Sequence, residues 1–103
     1  MAKFREVIRG KTRRTSGHSL RAIIADVNRT LVGWFEYFKH SFRSVFRAVD
    51  GWIRMRLRSI LRRRMGRRGR NHDHQRWPNN YFAKHGLFSL EHAHALAVQS
   101  SMR

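Results

Sequence analysis

The chain predicts an all-α fold: a small helical bundle with a long basic helix, a mobile basic loop and a short C-terminal helix. Three observations carry that expectation. Apolar residues recur on one face of a 3.6-residue period in Leu20, Ile23, Ile24, Val27 and Leu31, and again in Phe46, Val49, Ile53, Leu57, Ile60 and Leu61. The large rings Trp34, Phe35, Tyr37, Phe38 and Trp52 lie inside or beside those stripes, where aromatic burial dominates core energetics. No segment keeps the two-residue alternation of a half-buried strand, and no internal repeat is present.

Taken in order, residues 3–9 suit a short helix with Phe4, Val7 and Ile8 on one side. Residues 10–17 form a polar, basic loop bounded by Gly10 and Gly17. Ser19 is a candidate N-cap for the next helix. Asn28 is a candidate interruption there, capping a second helical piece that is apolar around much of its circumference. A break is expected near residues 40–44, with Ser41 or Ser44 as cap. A longer helix then runs to about Arg64, with Arg47, Arg54, Arg58 and Arg62 mostly off its apolar face. Gly66 is a suitable helix stop. Residues 65–76 hold almost nothing apolar and read as a basic flexible loop. Pro78 suits the first turn of a short helix ended by Gly86. Ser89 can cap a last helix through about Gln99, with Leu90, Ala93, Leu96 and Ala97 as its buried stripe. Residues 1–64 are therefore expected to form the bundle, and 77–103 a C-terminal extension packing on it. The expected core is Leu20, Ile23, Ile24, Val27, Leu31, Trp34, Phe38, Phe46, Val49, Ile53, Leu57 and Leu61.

The 103 residues carry a formal charge of +17, and 41% of them are apolar. That apolar share is ordinary for a globular chain and separates this sequence from a disordered basic tail. The charge destabilises a compact monomer unless an anion neutralises it. Arginine outnumbers lysine 19 to 4, and the arginine fork suits phosphates and stacked bases better than an ammonium does. GC-rich codons would raise arginine too. No cysteine is present, which removes disulfides and thiolate metal sites and suits a reducing compartment. No apolar run approaches the roughly 20 residues of a bilayer span, and the basic N-terminus lacks the apolar stretch of a signal peptide.

No acid lies between Asp50 and Asp73, while Arg54, Arg56, Arg58, Arg62, Arg63, Arg64, Arg67, Arg68 and Arg70 do. An uncompensated basic stripe is the electrostatic footprint of nucleic-acid binding. Lys11, Arg13 and Arg14 in the glycine-bounded loop join it as candidate RNA-binding residues. Glutamine at Arg62, Arg63 and Arg64 together is expected to weaken binding without unfolding the helix. Trp34, Trp52, Tyr37 and Phe38 suit a core better than base stacking, whereas Trp77, after the basic loop, leaves stacking open. Asp50 is expected to pair with Arg47 or Arg54 one turn away. Gly33 and Gly51 each precede a tryptophan and suggest close helix packing beside the ring. The pairs His72/His74 and His92/His94 lack the four-ligand set of a zinc site, and Ser41 beside His40 implies no catalysis without geometry. No metal, cofactor or small-molecule substrate is expected.

The motifs Leu31-x-Gly-Trp-x-x-Tyr-Phe38 and Phe46-x-x-x-Asp-x-Trp-Ile-x-x-x-Leu57 resemble the maturase-specific domain of group II intron-encoded proteins, the thumb that follows the fingers and palm of a reverse transcriptase. The likeness starts at Ile8-Arg-Gly-Lys-Thr-Arg-Arg14 and Gly17-His-Ser-Leu20. It reaches Trp77-Pro-Asn-Asn-Tyr-Phe-Ala and Gly86-Leu-Phe-Ser-Leu90. The chain departs from the family's pattern at Asn28-Arg29, where Asn-Pro is usual, at Val32, where a basic residue is common, and at Val49, where leucine is common. The resemblance implies binding to a structured group II intron RNA, assistance to its folding and splicing, a companion reverse-transcriptase fragment, and a bacterial cytoplasmic setting. The Tyr-x-Asp-Asp motif of the polymerase is absent, and no two of the six acids are adjacent, so no polymerase activity is expected of this chain alone. The resemblance fits a piece of a split or degraded intron protein as well as a free-standing domain. A generic basic nucleic-acid-binding module, a membrane-active basic peptide and a remnant of a decayed mobile element are the competing readings.

Overall fold

The computed structural model describes residues 2–66 and 72–101, with Ser101 in its backbone only. Among these described residues six helices follow one another: α1 (Ala2–Lys11), α2 (Leu20–Phe38), α3 (Arg43–Arg64), α4 (Asp73–Arg76), α5 (Asn79–Lys84) and α6 (Leu90–Ser101). No strand occurs among the described residues, and the fold is all-α. The main pairings are α1 on α2 and α3 on α6.

Helix α1 is longer than expected because Lys11 and Thr12 continue its hydrogen bonding. The Thr12 amide donates to Ile8 O at 3.0 Å, and Thr12 Oγ1 donates to the same carbonyl at 2.7 Å. Ser19 caps α2 by accepting from the Ala22 amide at 3.2 Å. Helix α2 then runs without a break through Asn28. With arginine and not proline at position 29, every residue keeps its backbone donor and nothing clashes with the preceding turn. Asn28 acts across the fold instead. Its Nδ2 donates to Gly86 O at 2.8 Å, and its Oδ1 accepts from the Phe88 amide at 2.8 Å. Asn28→Ala is expected to cost about 1–2 kcal/mol, the net worth of two such bonds. A urea melt superimposing on that of the parent chain would show that this tie adds nothing.

Helix α3 starts at Arg43, with Phe42 in the N-cap position and no side-chain cap. Ser41 and Ser44 therefore do not cap it. It ends as expected at Gly66, whose φ of +67° suits glycine. The Gly66 amide donates to Arg63 O.

One core joins all the long elements: Phe4 and Ile8 from α1, the α2 and α3 stripes, and Trp77, Phe82 and Leu90 from the C-terminal segment. Three expected members differ. Phe35 is buried while Phe38 is 44% exposed. Phe46, the first buried residue of α3, already meets Phe35 and Trp34 edge-on at 5.5 and 5.9 Å. Phe38 therefore lies beyond the end of the core. Trp34 is half-buried, stacked on Phe4 at 4.4 Å. Ile60 is buried, and Leu61 only flanks the core.

In α6, Leu90 is buried and Ala93 packs on the core, but Leu96 and Ala97 are exposed. Among the described residues nothing lies within 4 Å of where a Cβ would stand on Gly33 or Gly51, so close packing there does not explain either glycine. The C-terminal part of the expected flexible loop is ordered as α4, with Asp73 buried. Residues 67–71 of that loop lie outside the described residues.

Candidate nucleic-acid interface

The basic face is built where the segment after α1 meets the C-terminal half of α3. Thr12 is fully buried, and its Oγ1 accepts from Arg56 Nε at 2.7 Å. Arg56 Nη2 also donates to Thr12 O at 3.3 Å and Arg9 O at 3.4 Å. These carbonyls close the C-terminal end of α1, where a cation is favoured by the helix dipole. Farther along, Arg64 Nη2 donates to Ser16 O at 3.0 Å and to His18 O. Arg56 and Arg64 thus pin the segment at both ends. Lys11 faces the other way, bonding Asp26 through its carboxylate at 3.2 Å and its carbonyl at 3.0 Å.

Between the two pins Arg13 and Arg14 are exposed. A groove of about 200 Å³ opens there, lined by Thr12, Arg14, Met55, Arg56, Ser59 and Arg62. No acid lines it. Arg63 is exposed on the same stretch of α3. Burial lowers the Arg56 guanidinium below its ordinary value, and Arg9 adds to that, yet arginine stays charged throughout the physiological range.

The α3 arginines differ in their surroundings. Arg58 is buried, with Nε donating to Trp77 O at 2.8 Å, Nη2 donating to Asn79 Oδ1 at 2.9 Å, and its guanidinium 5.2 Å from the Phe82 ring. Burial and then Arg54 push it below the ordinary arginine value, while Asp73 opposes them. Arg62 pairs with Asp73 through Nη1 and reaches Ser59 Oγ through Nη2 at 3.4 Å. Arg54 is half-buried, and its Nε has no hydrogen-bond partner among the described residues. Arg67, Arg68 and Arg70 lie outside the described residues.

Other expectations resolve here. Asp50 pairs with neither Arg47 nor Arg54. Its Oδ1 accepts from the Leu90 amide and its Oδ2 from the Glu91 amide and Ser89 Oγ, each at 3.0 Å. Trp77 is buried, which removes it as a stacking platform. Trp52 is half-buried beneath Arg5, Arg9 and Arg56, at 4.8, 5.6 and 5.8 Å from its ring. Arg5 and Arg9 stand outside the candidate RNA-binding residues named from the sequence. Their spacing of four along α1 was the available signal. Among the described residues, no three His, Asp or Glu side chains gather as a metal site, and no helix is long and apolar enough to cross a membrane.

A sequence model of the group II intron, maturase-specific domain matches residues 1–83. The chain belongs to that family. The match includes every residue of the groove and ends inside α5. Beyond the matched stretch, α6 is tied to α3 through Asp50. No curated protein and no solved structure matches the chain.

Proposed function

We propose that this maturase-specific domain binds structured group II intron RNA and helps it fold into its splicing-competent form, with the RNA supplying the chemistry. The observation that carries the reading is the acid-free groove where Arg14 meets Arg56 and Arg62. Oriented guanidinium groups of this kind bind phosphate through charge-assisted bonds. Structured RNA is recognised through shape, backbone and unpaired bases, and a rigidly pinned basic segment can hold two backbone stretches in register. The domain acts without catalysis of its own, in the bacterial cytoplasm, beside a companion reverse-transcriptase fragment that supplies much of the intron specificity.

Affinity for the intron RNA should fall steeply as salt rises, with a log–log slope of roughly 0.7–0.9 per phosphate contacted. Arg13→Gln, Arg14→Gln and Arg63→Gln together should reduce that slope by about 2. A slope that stays put in the triple variant would move the interface elsewhere. Equal binding to intron RNA, scrambled RNA and duplex DNA, with and without the companion fragment, would leave a generic basic module.

A further inference from the structure

Three guanidinium groups gather round one indole between α1 and α3. Arg5, Arg9 and Arg56 lie 4.8, 5.6 and 5.8 Å from the Trp52 ring. Sharing one ring brings the three cations close together. Burial and then the charge of Arg9 lower the Arg56 guanidinium.

The cluster has no counter-charge of its own. Glu6, the only acid of α1, is exposed, and among the described residues neither the Arg5 nor the Arg9 guanidinium has an ion pair or a hydrogen bond. A ring attracts a cation through its charge, so the five N–H donors of each guanidinium stay unspent. Arg9 is exposed and Arg5 half-buried, so both have surface from which to donate. Arg56 differs, because its Nε and Nη2 already serve Thr12 and the Arg9 carbonyl.

Free forks without an acid suit an anion, and their placement suits a chain of anions. Arg5 and Arg9 stand one turn apart on α1, about 6 Å along its axis. That spacing fits neighbouring charges on a strand better than one small ion. The row does not end there. Arg56 belongs both to this cluster and to the groove where it meets Arg14 and Arg62. The cations therefore continue from α1 through Arg56 into the groove. A carboxylate also fits a guanidinium fork, but a phosphodiester strand carries its charge at the regular interval that such a row requires.

We propose that Arg5 and Arg9, held at Trp52, bind successive backbone phosphates of the RNA strand whose neighbouring phosphates occupy the groove. The proposal rests on the RNA-binding reading and extends its footprint onto α1. The test uses the whole chain and a short oligouridylate. Arg5→Gln with Arg9→Gln should lower the log–log salt slope by about 1.4, the share of two single-strand phosphates. Arg47→Gln with Lys84→Gln removes the same charge from two exposed residues, and Arg47 lies about 140° round α3 from Trp52. That control should leave the slope as it is. The Trp52 indole N–H, followed by NMR, should shift when oligouridylate is added to the parent chain and stay put in the Arg5/Arg9 variant. The indole of buried Trp77 should stay put in both. A glutamate peptide of equal charge should move Trp52 far less. An unchanged slope in the Arg5/Arg9 variant, an equal fall in the control pair, or an unmoved Trp52 in the parent chain overturns the proposal. So does an equal shift with the glutamate peptide, which would assign these arginines to an acidic protein partner. Failure of the RNA reading looks different: intron RNA, scrambled RNA and duplex DNA bind alike, while the Trp52 shift and the slope difference persist.

Discussion

Asp50→Ala should destabilise the chain by about 3 kcal/mol. The carboxylate sits in the middle of α3 and is buried, yet it serves α6. It accepts from the Leu90 and Glu91 amides and from Ser89 Oγ, all at 3.0 Å. The first amides of a helix have no partner inside it, and bonds to a charged acceptor are worth about 1.5–3 kcal/mol each before losses elsewhere are counted. Ser89 completes the arrangement, since its Oγ also accepts from the His92 amide at 3.2 Å. Removing the carboxylate leaves buried donors unsatisfied and releases the helix that packs most extensively on α3. A domain of this size loses about 4–8 °C of Tm per kcal/mol, so the variant should melt more than 10 °C lower. Hydrogen exchange should accelerate first at Leu90 and Glu91. Asp50→Asn keeps one good acceptor and should fall between the two. An exposed pair with Arg47 or Arg54 would cost only a few tenths of a kcal/mol, so a small shift would contradict the capping role.

Asp50 marks the limit of what a sequence conveys. The apolar stripes of α2 and α3 are local and periodic, so most of their burial is legible, with Trp34, Phe38 and Leu61 at the ends of the stripes as the exceptions. Ser19, Gly66, Gly86 and Ser89 were legible too, because caps and stops depend on the backbone beside them. Asp50, Asn28 and Arg58 act over separations of 40, 60 and 19 residues. Nothing local distinguishes a carboxylate that caps a distant helix from one that pairs with the next turn. The same limit governs the site. The abundance of arginine is plain in the sequence, but a guanidinium pinned to a carbonyl and one facing solvent look alike there. What brought Arg14 beside Arg56 and Arg62 is the buried Thr12, a residue with no pattern around it.

Arg58→Met should separate scaffold from interface within a single basic run. Arg58 is buried, its guanidinium holds Trp77 O and Asn79 Oδ1, and it lies 5.2 Å from the Phe82 ring. Methionine fills part of the space but leaves the Trp77 carbonyl without its donor, and one broken buried charged contact typically costs about 3 kcal/mol. Arg58→Lys should recover little, because an ammonium cannot make the two directed bonds of the fork. Arg13, Arg14 and Arg63 are exposed, and their joint change to glutamine should cost less than about 1 kcal/mol. The two variants should therefore diverge. Arg58→Met melts more than 10 °C lower and, at a temperature where it is folded, keeps nearly the parent salt slope for RNA. The exposed triple melts like the parent and loses slope. Glutamine at Arg62, Arg63 and Arg64 together should do both, since Arg62 holds Asp73 and Arg64 holds the carbonyls of Ser16 and His18. An Arg58→Met chain as stable as the parent but deficient in RNA binding would place Arg58 at the RNA and overturn the division between the two sets of arginines.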